Sequence, residues 1–158
     1  MKALRMVKLK DILDGMDFQN EEVSAYLNKR TGEVVHFSSD VLNAVEENKT
    51  HEEFFDWQEE EITAAKDYLA NPKTYVPLPS KFDIHEWAIM ERFCFTLDDS
   101  KTKEMMLDAI HGTGAFRMFK NNIHRFELVE KWYRFREESF KEIAKAWCDE
   151  NDIPFEEV

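Results

Sequence analysis

The segment His111–Trp147, HGTGAFRMFKNNIHRFELVEKWYRFREESFKEIAKAW, decides how this chain must fold. Phe116, Phe119 and Ile123 recur at helical spacing, with Arg117, Lys120 and His124 on the adjacent face. That pattern predicts a helix opening at Thr113 or Gly114, apolar on one side and basic beside it. Downstream, Leu128, Trp132, Phe135, Phe140, Ile143 and Trp147 fill one half of a second helical wheel, and charged residues such as Glu130, Lys131, Arg134 and Lys141 fill the other. Both helices are expected to turn their rings inward and leave a cationic ridge facing water. Arg136 departs from the pattern, because at about 100° per residue it falls in the apolar half, between Trp132 and Ile143. A guanidinium is too costly to bury alone. It is therefore read as snorkelling, stacked on a ring or ion-paired, with ligand binding as the alternative.

Working outward, Gly112 is placed to end a helix carrying Met105, Met106, Leu107 and Ile110 as its C′ residue, and Thr113 to cap the next. Before that, Asp83 and Glu86 have capping-box spacing and open a helix with Trp87, Ile89, Met90, Phe93 and Cys94. This helix is apolar on most sides and is expected at the centre of the core. Residues 74–78 read as a short extended piece that prolines confine to a sheet edge. Residues 22–37 read as a hairpin: Val23, Ala25 and Leu27 keep period two, and Gly32 supplies the positive φ of the turn. Leu9, Ile12, Leu13 and Met16 mark a first helix ending near Gly15; Ser39 or Asp40 caps a short second one through Val45. Thr50 and Glu53 form a further capping box, opening an acidic helix over 51–69 that Asn71-Pro72 ends. The expected fold class is α+β, mainly helical, with a small antiparallel sheet made of the hairpin (22–37) and the edge strand (74–78). Residues 1–158 are expected to form a single domain.

A formal net charge of −12 disfavours nucleic acid as a partner, since polyanions are held through Lys and Arg. The charge is unevenly spread. Between His111 and Trp147 eight Lys and Arg face five Glu, a balance of +3, so the rest of the chain carries −15. A basic strip on an acidic body follows, whether for internal pairing or for a partner. Two cysteines, Cys94 and Cys148, are too few for a disulfide scaffold and point to reduced thiols in the cytoplasm. No apolar run approaches the roughly 18 to 20 residues of a membrane span, and the start lacks the apolar core of a secretory signal. Neither membrane contact nor export is expected.

The run His111-Gly112-Thr113-Gly114-Ala115-Phe116-Arg117-Met118-Phe119-Lys120, with Lys131-Trp132-Tyr133-Arg134-Phe135-Arg136 and Ala146-Trp147, resembles the signature of Uncharacterised Protein Family 0158, small and mostly bacterial proteins. The turn Thr31-Gly32-Glu33-Val34 and the segment Tyr75-Val76-Pro77-Leu78-Pro79 are similar to that family too. The resemblance implies no reaction, cofactor or partner. It places a linker at Asn121–Phe126, between the two helices.

The residues themselves rank three functions. The first is a non-catalytic interaction module that holds another protein through the basic-aromatic surface of residues 113–145 or the acidic helix 51–69. The second is anion or nucleotide binding at the helix start Gly112–Lys120, where Gly112, Thr113 and Gly114 present free N–H groups and Arg117 and Lys120 add charge, with Arg136 as a further candidate. Their glycine spacing is not that of a P-loop. The third is an enzyme, which is disfavoured: no metal motif organises the histidines, no Gly-x-Ser-x-Gly elbow occurs, and Cys94 sits in the most apolar helix. No cofactor is expected, and no oligomeric state is read.

Overall fold

The computed structural model describes residues 6–47 and 58–157. The Thr50–Glu53 capping box and the first part of the acidic helix lie outside them. The chain divides into two units: residues 1–83 with 143–158, and residues 84–142.

In the first unit β1 (Val7–Lys8) runs directly into α1 (Leu9–Phe18), whose Leu9, Ile12 and Met16 are buried on one stripe. The helix does not stop at Gly15; it continues for another turn. Gly15 is needed for close approach rather than for termination. A Cβ there would meet Leu78 Cδ2 at 2.6 Å and Val34 Cγ1 at 2.9 Å.

The hairpin is β2 (Val23–Asn28) with β3 (Val34–Ser38), and β4 (Tyr75–Pro77) pairs with the other side of β2, giving the order β3-β2-β4, all antiparallel. The edge position of β4 follows from Pro77, which has no N–H to give to a ladder. Asn28 builds the turn. Its Oδ1 accepts from Arg30 N at 2.9 Å, and its carbonyl accepts from Gly32 N, with Gly32 at φ 77°. Period two puts Ala25 and Leu27 against α1, while Tyr26 on the opposite face stacks on Phe37 (centroids 5.0 Å) and packs at a tilt against Tyr68 (4.8 Å).

That second face is covered by α2 (Ser39–Glu46) and α3 (Glu59–Ala70), through Val41 and Ala65. The cap of α2 is Ser38, one residue before the expected Ser39 or Asp40; its hydroxyl accepts from Val41 N at 3.2 Å. Gln19 is buried and satisfied, donating to Pro79 O at 2.7 Å and accepting from Ala25 N at 3.2 Å. Between the two stretches of this unit, Trp147 Nε1 donates to Pro77 O at 2.9 Å. A parallel two-residue pairing of β1 with β5 (Phe155–Glu156), Val7 opposite Phe155, adds a small second sheet.

Before the second unit, the short α4 (Lys81–Ile84) corrects the expected capping box. The reciprocal pair is Ser80 with Asp83: Ser80 N donates to Asp83 Oδ2 at 3.0 Å and Asp83 N donates to Ser80 Oγ at 3.1 Å. The helix α5 (Glu86–Phe95) starts instead behind His85, which takes a left-handed φ of 51°.

In residues 84–142, α5 is followed by α6 (Ser100–Ile110), α7 (Ala115–Arg125) and the start of α8 (Val129–Glu150). Asp99 caps α6 by accepting from Thr102 N. Four rings form the interior of this unit: Phe93 meets Phe119, Trp132 and Phe135 at 5.4–6.1 Å, and Phe119 meets Trp132 edge-on at 4.7 Å. Trp87 donates to Ile110 O at 2.9 Å, tying α5 to the end of α6.

Candidate functional site

The sequence of α7 sets up the site. AFRMFKNNIHR contains three cations, Arg117, Lys120 and Arg125, and no carboxylate, in a chain whose net charge is −12. Phe119 and Ile123 are each 1% exposed and fix the inward stripe. With about 100° between successive residues, Asn121 then marks the middle of the outward face, with Arg117 and Arg125 about 40° to either side. Arg117, Lys120, His124 and Arg125 are all exposed. Among the described residues none of these three cations makes an ion pair; Arg125 instead lies over the Phe126 ring, 5.2 Å from its centroid.

Phe116 was expected inside and is 51% exposed. Its azimuth suits the core, but it stands in the first turn, beside the exposed Gly112–Gly114 corner, where no described residue covers it fully. Met118 is exposed as well, so the cationic face is flanked by two apolar side chains. The helix break is also displaced from expectation. Asn121–Arg125 belong to α7, and the turn falls at Phe126–Leu128, where Leu128 N donates to Ile123 O at 2.7 Å and Glu127 adopts φ 57°. The 6→1 hydrogen bond and left-handed residue are those of a Schellman ending.

Of the residues singled out in the sequence, Gly112 and Thr113 lie exposed in the turn after α6. His111 is the C-cap of α6, and Gly114, at φ 70°, is the N-cap of α7 with no side-chain hydrogen bond, so Thr113 does not cap. A Cβ on Gly114 would stand 3.7 Å from Arg117 Nη2, so the guanidinium folds back over the helix start. Gly114 and Arg117 are therefore brought together, with Lys120 one turn along. Arg136 is engaged elsewhere: its Nε donates to Glu86 Oε1 at 2.7 Å and its Cζ stacks 4.0 Å from the Phe140 centroid. That pair of contacts resolves the cost of a guanidinium on an apolar stripe.

Sequence reasoning did not assemble a cleft of about 630 Å³ within residues 84–142. Its floor is Phe93, Leu97, Phe126, Leu128 and Phe135. Its rim carries Lys131 and Arg134 from α8, and Asp98, Asp99 and Thr102 from the start of α6. The signals were present, in the Asp98-Asp99-Ser100 break and the i, i+3 cations of α8, but no local pattern joins them.

A larger, more polar cleft in the other unit contains Arg30, Asp67 and Tyr75. Tyr75 Oη donates to Asp67 Oδ2, Asn28 Nδ2 donates to Tyr75 Oη at 3.3 Å, and Arg30 Nη2 lies 3.5 Å from the same carboxylate. Burial, with the Asp67 carboxylate beside it, pushes the Tyr75 phenol up to about 12, so it stays a hydrogen-bond donor at neutral pH. The network ties β4 to α3 and to the hairpin turn. Burial likewise pushes the thiols of Cys94 and Cys148 up to about 11, which leaves both protonated and poorly nucleophilic at neutral pH. Among the described residues no group of three or more His, Cys, Asp or Glu is arranged to hold a metal ion. None of their helices is long and apolar enough to cross a membrane.

A family model described as Uncharacterised protein family (UPF0158) matches residues 2–157. The chain belongs to this family. A UPF0158 protein of Pseudomonas aeruginosa is 27% identical over 66 residues, which are 41% of this chain and 43% of that protein. The match thus spans less than half of the relative's length. No solved structure matches significantly. The family has no assigned activity, so what this UPF0158 member does has to be argued from its own surface.

Proposed function

We propose that this UPF0158 protein is a non-catalytic interaction module that docks an acidic segment of a protein partner on the outward face of α7. One observation carries the reading: Arg117, Lys120 and Arg125 stand exposed on a helix without a carboxylate and make no ion pair among the described residues, while Phe116 and Met118 flank them uncovered. Among the described residues no carboxylate pairs with this most basic helix of an acidic chain, which leaves its charge available to another molecule. The acidic helix is a weaker candidate, because Glu61 is already used, accepting from Ser38 N at 2.7 Å.

The test is a photo-crosslinking residue in place of Asn121, expressed in native cells. A discrete protein adduct, lost when Arg117→Glu and Lys120→Glu are combined, is the expected result. An adduct that survives charge reversal, or none, contradicts it. A second reading, a small anion at Gly112–Lys120, is favoured by the uncapped start of α7 and the Arg117 guanidinium folded over it. Sulfate titration that moves the Gly114 and Arg117 amides would support that reading instead.

A further inference from the structure

We infer that the open edge of β3 takes up an extended basic segment of a partner protein as an added strand, in the cleft between β3 and α3. This surface belongs to the first unit and is independent of the one on α7.

The ladder decides which backbone groups are free. Asn28 N donates to Glu33 O and Ser39 N to Glu22 O, both at 2.8 Å, and these bonds bracket the β2–β3 register. Antiparallel alternation then turns the N–H and C=O groups of Val35 and Phe37 toward β2, and those of Val34, His36 and Ser38 away from the sheet. Ser38 N donates to Glu61 Oε1 at 2.7 Å, whereas the backbone groups of Val34 and His36 have no partner among the described residues. In the order β3-β2-β4 this side of β3 is an outer edge. The other edge is blunted by Pro77. The sequence of β3, VVHFS, contains neither proline nor lysine, the usual guards of an exposed edge.

The surroundings select what can pair there. A cleft of about 1050 Å³ is lined by residues 34–36 of β3 and by Glu60, Thr63, Ala64 and Asp67, one stripe of α3. A strand laid on this edge turns every second side chain toward α3. Around that cleft Glu33, Glu59 and Glu60 are exposed and make no ion pair among the described residues, while the cation Arg30 already lies 3.5 Å from Asp67. The charge still available is anionic, and the side chains that match it are Lys and Arg. The intervening side chains face the side of α1, where the exposed Phe18 ring packs against His36 (centroids 4.2 Å) and offers an apolar contact. The edge of a second copy would bring its own acids against these, and like charges on paired strands repel. Backbone pairing supplies the affinity and the acids supply selectivity, so Glu61, already engaged, is not needed for either.

The experiment adds a short fluorescein-labelled peptide of alternating lysine and valine to the full chain. Two controls replace each lysine by glutamate or each valine by proline, which keeps the charge but removes the N–H groups that would meet the edge. Anisotropy gives affinity, and amide hydrogen exchange read by NMR gives location. The lysine–valine peptide is expected to bind at least about tenfold more tightly than either control, the order that one or two hydrogen bonds supply. At saturation it should slow exchange of the Val34 and His36 amides at least about tenfold. Combining Glu59→Gln with Glu60→Gln, both at exposed positions, should weaken it. A proline peptide that binds as tightly, with Val34 and His36 exchange unchanged, would show that the acids merely attract charge and overturn the inference. So would equal binding of the glutamate peptide, or no binding of the lysine–valine peptide. Protection of Val34 and His36 that rises with protein concentration in the absence of peptide would give the edge to a second copy and overturn it as well.

Discussion

Glu127 shows how single residues set the bend between α7 and α8. A non-glycine at φ 57° is strained by its Cβ, and Asp152, at φ 55° with Ile153 N donating to Cys148 O at 2.8 Å, repeats the device at the end of α8. Glu127→Gly is therefore expected to stabilise the chain by about 0.5–1 kcal/mol, the relieved strain outweighing the added entropy of the unfolded chain. A higher denaturation midpoint at unchanged slope is the measurement. Arg136→Met should cost about 1 kcal/mol, a figure discounted because the Arg136–Glu86 pair is partly solvated, and should leave crosslinking at position 121 intact. Loss of crosslinking with stability retained would instead make Arg136 a binding residue. The buried thiols predict a pH dependence. Cys94 and Cys148 ionise near 9 when unfolded and near 11 when folded, so their contribution is fully present below pH 9 and is lost as pH rises from 9 to 11. Denaturation midpoints across that range check it, and Cys94→Ala should flatten the fall.

At the scale of elements, Gly15 lets α1 lie against Leu78 and Val34. Gly15→Ala is expected to cost about 1–3 kcal/mol by overpacking, despite alanine's better helix propensity, and thermal melts would show the sign. What was legible in the sequence follows the same logic. The hairpin, its edge strand and the inward Phe119 and Trp132 rings were readable because period two and period 3.6 are local and a glycine such as Gly32 marks a turn. The pairing of β1 with β5 was not, since a parallel contact of two residues between distant ends of the chain leaves no period to detect. Gly15 was misread as a stop because proximity to β3 is invisible from within the helix. Phe116 was misplaced for a related reason: a wheel gives azimuth but not whether neighbours reach the first turn. The α7 cations could be named from spacing alone, whereas the cleft needed α5, α6 and α8 to be placed together first.

For the whole molecule, the sharing of α8 is decisive. Residues 129–142 belong to one unit and 143–150 to the other, within one helical ladder. We propose that the chain unfolds as one cooperative domain. Agreement of calorimetric and van't Hoff enthalpies is the expected result, and two resolved transitions would contradict it. Globally, an acidic chain keeps its acids off one helix, and the docking account depends on what that helix does in solution. The most direct measurement is an amide-resolved NMR titration of the full chain with a polyglutamate peptide at low and high salt. The account predicts shifts centred on Arg117, Lys120, Asn121 and Arg125 that fade as salt screens them. Shifts scattered over the surface, or none at α7 even at low salt, would contradict it.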